Sequence, residues 1–266
     1  NKFTSLNISG GCVDTDASAE SMKAIETTES WYYISNIDII QPEESRTIIC
    51  FGDSITDGHG AITNKDTRWS DYLAGLITEN GMAQLYSVIN RGIGGNSVAT
   101  GGIGEPGIKR FERDAVGTSK AKYILVLEGI NDIGGITDAD EGAKRAEKVI
   151  DGFKGFIEKA HVKGIKIYGA TLTPVGGHDY YTEVEELCRN RINDWIKANT
   201  NTVKVGENGY DADKYDGYLD FEALLSDPSD PTKLLLEYST DNLHPSPAGY
   251  EKMGQYVYEM LFSNDM

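Results

Sequence analysis

Cationic side chains are scarce. Against 42 Asp and Glu the chain carries only 25 Lys and Arg, a formal charge of −17. Such a surface repels phosphate backbones and anionic lipid, which excludes nucleic-acid binding as a main role. Cysteine is sparse too: Cys12, Cys50 and Cys188 are too few and too scattered for a disulfide framework or a zinc site. Cys50 falls in an apolar strand pattern and Cys188 on the apolar side of a helical one, the usual places of core thiols. No apolar run approaches the ~18 residues of a membrane span. A signal peptide is not visible, and the chain begins at Asn1 rather than Met, as in a processed or trimmed protein.

What is present is enough for one large α/β domain, alone or with a small appendage: 266 residues, 39% of them hydrophobic. Short apolar runs, "RTIICF" (46–51), "QLYSVIN" (84–90), "KYILVLEG" (122–129), "IKIYGATL" (165–172) and the weaker "TVKV" (202–205), read as strands. Their nearly continuous apolar character suits parallel strands covered on both faces. Between them, Ala146, Val149, Ile150, Phe153, Phe156, Ile157 and Ala160 repeat at helical spacing. Val184, Leu187, Cys188, Ile192, Trp195 and Ile196 do the same, and a last helix starting at Pro247 would bury Tyr250, Met253, Val257, Met260 and Leu261. The acidic run "DADEGAKRAE" reads as a solvated helix start. Residues 1–44 differ: a polar, turn-rich stretch leads into the alternating "WYYISNIDII", which reads as an appended β segment or the tail of an upstream domain. The catalytic domain is then 45–266.

In a parallel sheet of this kind, ligands sit beyond the carboxyl ends of the strands. Polar clusters fall there: "GDSITDG" after the first strand, "NRGIGGN" after the second, "EGINDIGG" after the third, with "DNLHPSPAGY" just before the final helix. Ser54 has two readings, a turn-capping serine or a nucleophile held at the sheet edge. Ester hydrolysis also needs a base, a group to orient it and donors for the oxyanion. Asp241 and His244, three apart before a helix, can be aimed at one point, with His244 as base and Asp241 fixing its tautomer. The Gly94–Gly95 turn can offer an unobstructed backbone N–H, Asn131 a side-chain N–H, and Ser54 its own amide.

With these four blocks in order, the chain resembles the SGNH hydrolases, also called GDSL esterases or lipases. "GDSITDG" gives Ser54; "NRGIGGN" gives Gly95 the oxyanion role; "GIND" gives Asn131; "DNLH" gives Asp241 and His244. The likeness runs from about residue 46 to 262. GDSI stands where GDSL is usual, an apolar swap that threatens no role, and the Gly-x-Ser-x-Gly elbow of α/β-hydrolases is absent around Ser54. The resemblance implies a three-layer α/β/α flavodoxin-like fold with a parallel sheet of about five strands. It implies a serine esterase working through an acyl-enzyme with no metal or organic cofactor, and it points to secreted, bacterial-type members in which a β segment precedes the catalytic domain.

The substrate is expected to be a small-molecule or polysaccharide ester, with O-acetylated carbohydrate preferred over lipase-like, short-chain acyl or aryl esters. The acidic surface and the lack of a long apolar stretch near the motifs support that preference. Asp53 and Asp132 are expected to brace the loops, and Arg68, Trp69, Tyr180 and Tyr181 to shape the pocket. His59 and His178 read as solvated loop histidines. Two readings from other classes remain open: a metal-dependent phosphoesterase built on Asp53, Asp57 and Asp132, and a non-catalytic carbohydrate-binding protein that keeps the fold. The sequence does not define an oligomeric state.

Overall fold

The first described strand alternates its side chains between two separate cores. Ile49 and Phe51 join one, Ile48 and Cys50 the other, and all four are fully buried. The computed structural model describes residue 40 and residues 42–262. The predicted N-terminal β segment therefore lies outside the described residues, apart from its last few positions.

Five parallel strands form the sheet: β1 (Arg46–Gly52), β2 (Tyr86–Gly92), β3 (Ala121–Leu127), β4 (Lys166–Ala170) and β5 (Gly217–Leu219). Their order is β2-β1-β3-β4-β5, with every pairing parallel. This is the doubly wound flavodoxin-like order, whose topological switch lies beside β1. On one face, α3 (Gly107–Phe111), α5 (Ala139–Val162) and α6 (Glu183–Ala198) pack over Ile49, Phe51, Ile124 and Val126. The opposite face carries α2 (Trp69–Glu79), α7 (Phe221–Leu225) and α8 (Pro247–Phe262), over Ile48, Cys50, Leu125 and Leu127. The result is the expected three-layer α/β/α sandwich. Two one-turn helices, α1 (Ser54–Asp57) and α4 (Ile130–Ile133), sit at the strand ends, and a short antiparallel hairpin, β6 (Ser226–Asp227) and β7 (Asp230–Leu234), follows α7.

Local chemistry explains the helix limits. Asp138 caps α5 by accepting from the Glu141 amide, and Asp140 and Glu141 fill its first turn, where the helix dipole favours acid. Thr182 caps α6 through Glu185 N–H at 2.9 Å. Three expectations give way. The "TVKV" stretch is no strand: Val205 is 56% exposed, and the segment belongs to a loop between the bridged residues Thr200 and Tyr215. Its polar alternate positions, Thr202 and Lys204, have no second layer to cover them, and the fifth strand is instead the three-residue Gly217–Leu219. Leu187 is 68% exposed and Met260 37% exposed, because each lies at the margin of its helix's apolar stripe.

Candidate active site

The chain can leave β1 abruptly because position 52 has no side chain. A Cβ on Gly52 would stand 2.1 Å from the Leu127 carbonyl oxygen. The next residue, Asp53, caps α1 by accepting the Ile55 N–H at 3.0 Å. Ser54 opens that helix, where a backbone N–H has no partner within the helix. Its hydroxyl meets His244 Nε2 at 2.8 Å. On the far side of the ring, His244 Nδ1 lies 2.8 Å from Asp241 Oδ2. The other carboxylate oxygen accepts the backbone N–H groups of His244, at 2.7 Å, and Leu243, at 3.0 Å. Asp241 is thus held by its own turn before it holds the imidazole.

Electrostatics match that geometry. Burial alone would raise the Asp241 carboxyl, but the two backbone donors and the imidazole outweigh it and bring it down to about 2. Burial lowers His244 below the ordinary histidine value, against the upward pull of Asp241, and the nearby His59 and His178 push the same way as burial. At neutral pH the carboxyl is therefore ionised and the imidazole is a free base.

The loops that carry Gly95 and Asn131 grip each other. Gly95 lies at φ +72° in the turn after β2, and the Ile103 N–H bonds its carbonyl at 2.7 Å. A side chain here would run into Ile103, whose Cδ1 is 2.9 Å from where the Cβ would stand. Asn131, on α4, donates Nδ2 to the Asn96 carbonyl at 2.7 Å and accepts the Tyr180 hydroxyl on Oδ1 at 3.1 Å. Asp132 beside it accepts the N–H groups of Val98 (2.8 Å), Ala99 (2.9 Å) and Thr100 (2.9 Å). Asn131 and Asp132 thus fasten the third block to the loop that carries Gly95.

Beneath the loops lies a buried group with no counterpart in the sequence reading. The Arg110 guanidinium donates to the Gly52 carbonyl (2.9 Å), the Arg91 carbonyl (2.9 Å), Asn96 Oδ1 (2.8 Å) and Glu128 Oε1 (3.0 Å). One side chain therefore ties the ends of β1, β2 and β3. It also lies 3.8 Å over the Phe51 ring. Burial pushes the Glu128 carboxyl up to about 8 despite the guanidinium, and Asp53 up to about 7; Asp132 is raised as well, by burial against its three amide donors. Arg110 comes from α3, outside every quoted block, so only its tertiary contacts reveal it.

The other predicted site residues divide. Tyr180 reaches the site through Asn131, and Tyr181 is 36% exposed on the same loop, its N–H bonded to the His178 carbonyl at 2.9 Å. Arg68 stands at the N-cap position of α2, its backbone N–H donating to Asp71 Oδ2 at 3.0 Å, and packs its stem beside Gly58, under the turn that follows the nucleophile. Trp69 does not line the site: it is fully buried, edge-on to Phe221 at 6.0 Å, and belongs to the α2–α8 core. His59 is the solvent-exposed loop histidine expected, its side chain 59% exposed, but it also neighbours the triad. Its ring is tilted 34° against that of His244 with centroids 3.9 Å apart, and its Nε2 is 3.9 Å from Asp241 Oδ2. Only the turn geometry at Gly58 brings it there, which no local pattern announces. Among the described residues, Asp53, Asp57 and Asp132 do not form a group close enough to share a cation; His59, Asp241 and His244 do. A cavity of about 720 Å³ lies at the opposite end of the sheet, near Tyr123, Lys166 and α8, away from the serine.

A serine, an imidazole and a carboxylate in one hydrogen-bonded line, at the carboxyl end of a 2-1-3-4-5 sheet, define a serine hydrolase. Residues 50–252 match the GDSL-like Lipase/Acylhydrolase family, and the chain belongs to that family. It is a carboxylic ester hydrolase of the SGNH type. Among solved structures, it is similar to the aryl esterase of M. smegmatis (15% identity, TM-score 0.58, 82% of this chain and 99% of that one). It is likewise similar to the acetyl xylan esterase AlAXEase (18%, 0.57, 81% and 100%). A third is a GDSL-like lipase from Bacteroides thetaiotaomicron VPI-5482 (18%, 0.55, 85% and 93%). At these identities the likeness shows the shared fold. The comparison with curated proteins found no match.

Proposed function

We propose that the chain removes short acyl groups, acetyl above all, from O-acylated carbohydrate. The observation that carries the esterase chemistry is the unbroken line Ser54 Oγ–His244–Asp241, with contacts of 2.8 Å on each side of the ring. Ser54 attacks the ester carbonyl as His244 Nε2 takes its proton. The developing oxyanion is received by the amides of Ser54 and Gly95 and by Asn131 Nδ2. His244 then returns the proton to the leaving sugar oxygen. Water, deprotonated by the same nitrogen, releases acetate from the acyl-enzyme and restores the serine.

The sugar preference is supported by the surroundings of the serine. His59, Asn242 and Tyr181 are exposed polar or aromatic groups near the triad and its flanking loop, a setting suited to hydroxyl-rich rings. Ile103, 71% exposed beside Gly95, offers a small apolar surface of the size an acetyl methyl needs. The acidic surface and the likeness to an acetyl xylan esterase agree with this reading. The test compares acetate release from acetylated xylan with turnover of acetyl, butyryl and long-chain p-nitrophenyl esters. Acetate release, with kcat/KM falling as the acyl chain lengthens, is the expected result. No acetate release together with rates rising toward long chains would replace it with a lipase-like specificity.

A further inference from the structure

We propose that the solvent side of the catalytic pair is an inhibitory site for a divalent transition metal ion, Zn²⁺ first among them, with Asp241 Oδ2, His244 Nδ1 and His59 Nε2 as ligands. Its inhibitory consequence rests on the esterase reading; the binding itself does not.

The three residues each present a ligand atom within 4.8 Å of the other two. Asp241 Oδ2 is the hub, 2.8 Å from His244 Nδ1 and 3.9 Å from His59 Nε2. Bonds of about 2.0–2.2 Å in a tetrahedral zinc site put neighbouring ligands roughly 3.4 Å apart. The 3.9 Å gap must therefore close and the 2.8 Å gap open by about half an ångström each, and the two imidazole nitrogens, within 4.8 Å of each other, must come to the same spacing. The necessary freedom is present. The His59 side chain is 59% exposed and that of Asp241 37% exposed. The His59 backbone, by contrast, is anchored: its N–H bonds the Ser54 carbonyl at 2.9 Å and its carbonyl accepts the Tyr250 hydroxyl at 2.7 Å. The exposed ring can pivot away from His244 while its backbone stays put.

The donor set selects the ion. Two imidazoles and one carboxylate suit Zn²⁺, Cu²⁺ or Ni²⁺, whereas Mg²⁺ and Ca²⁺ prefer oxygen shells. Binding would also disarm the base. In the working tautomer the His244 proton is on Nδ1, facing Asp241, and Nε2 offers its lone pair to Ser54. A metal ion on Nδ1 needs the lone pair of Nδ1 itself, so the proton leaves that nitrogen and the neutral ring carries its one proton on Nε2 instead. Nε2 then donates to Ser54 and can no longer accept its proton. The ring's proton count is unchanged and the carboxylate exchanges a hydrogen bond for a metal bond.

The experiment titrates ZnCl₂ into the Ser54→Ala protein by calorimetry at pH 7.5, so that binding is read without turnover, and repeats it with His59→Ala and His59→Gln added. One zinc per chain is expected, weakened at least about tenfold by either His59 substitution, with no binding of MgCl₂. In parallel, ZnCl₂ should inhibit the wild type reversibly, with activity restored by EDTA. Each His59 variant, compared with its own metal-free rate, should need at least about tenfold more zinc. Absence of stoichiometric zinc binding, or binding and inhibition unchanged by both His59 substitutions, overturns the proposal even if the esterase activity is intact. Zinc binding that depends on His59 in a protein without esterase activity would instead keep the site and overturn the functional reading.

Discussion

The Tyr180 hydroxyl donates to Asn131 Oδ1 at 3.1 Å, while Asn131 Nδ2 donates to the Asn96 carbonyl at 2.7 Å. The amide is therefore pinned at both ends, and its second N–H is the donor proposed for the substrate oxyanion. Asn131→Ala should lower kcat by roughly 10²–10³. Tyr180→Phe keeps the ring and loses only the pin, about 1 kcal/mol, so a several-fold fall in kcat with KM little changed is expected. Steady-state kinetics on an acetyl ester separate the two. Equal rates for Asn131→Ala and wild type would remove the residue from the oxyanion site.

Asp241 serves two masters, and that makes its amide variant informative. One oxygen accepts two backbone N–H groups, so an asparagine must keep its carbonyl oxygen there and turn its NH₂ toward His244 Nδ1. The imidazole then has to accept on Nδ1 and carry its proton on Nε2, the wrong tautomer for taking the Ser54 proton. Asp241→Asn should cost on the order of 10⁴ in kcat, as the same exchange does in the chymotrypsin triad. Ser54→Ala should cost on the order of 10⁴ to 10⁶. Near-normal turnover by the serine variant would refute the nucleophile assignment.

The pH profile follows from the direction of the shifts. His244 acts as a base only when neutral, and burial sets its pKa below the ordinary value near 6.5. The acid limb of kcat/KM, measured with metal chelated, should have its midpoint below pH 6.5 and level off toward higher pH. Asp241, brought down to about 2, stays ionised throughout and adds no second inflection above pH 4. A midpoint above 7 would mean that the carboxylate, not burial, dominates the imidazole.

The sequence carried the catalytic line because each element of it is local. Asp241 and His244 share one turn, Ser54 follows its capping Asp53, and the apolar periodicity of β1, β3, α5 and α6 reports burial directly. What was hidden is tertiary. Trp69 follows the nucleophile turn closely in sequence, yet α2 rotates it into the α8 core. His59 is solvated as its sequence suggests, but only the turn at Gly58 sets its ring beside His244. Arg110 joins three strand ends from a helix outside every motif, and no spacing rule connects it with Glu128. The fifth strand was misplaced because Gly217–Leu219 is short and flanked by aspartates, while "TVKV" has the composition of a strand and nothing to pair with.

Burying three carboxyls beneath the loops makes the fold sensitive to alkali. Glu128 is raised to about 8 and Asp53 to about 7, both above their unfolded values, and Asp132 is raised as well. Between the unfolded and folded pKa values the native state holds more protons than the unfolded chain, so stability falls as pH rises. For each group the slope is at most about 1.4 kcal/mol per pH unit. Glu128→Gln removes one of these titrations and keeps an oxygen for Arg110, whose other partners are the Gly52 and Arg91 carbonyls, Asn96 and, at 3.6 Å, the Asp114 carboxylate. Urea melts at pH 5, 7 and 9 should show wild-type stability declining across the series. The variant should decline less steeply. The same slope in both proteins would mean that Glu128 is already ionised against Arg110 at pH 5, and that the guanidinium outweighs burial at the base of the site.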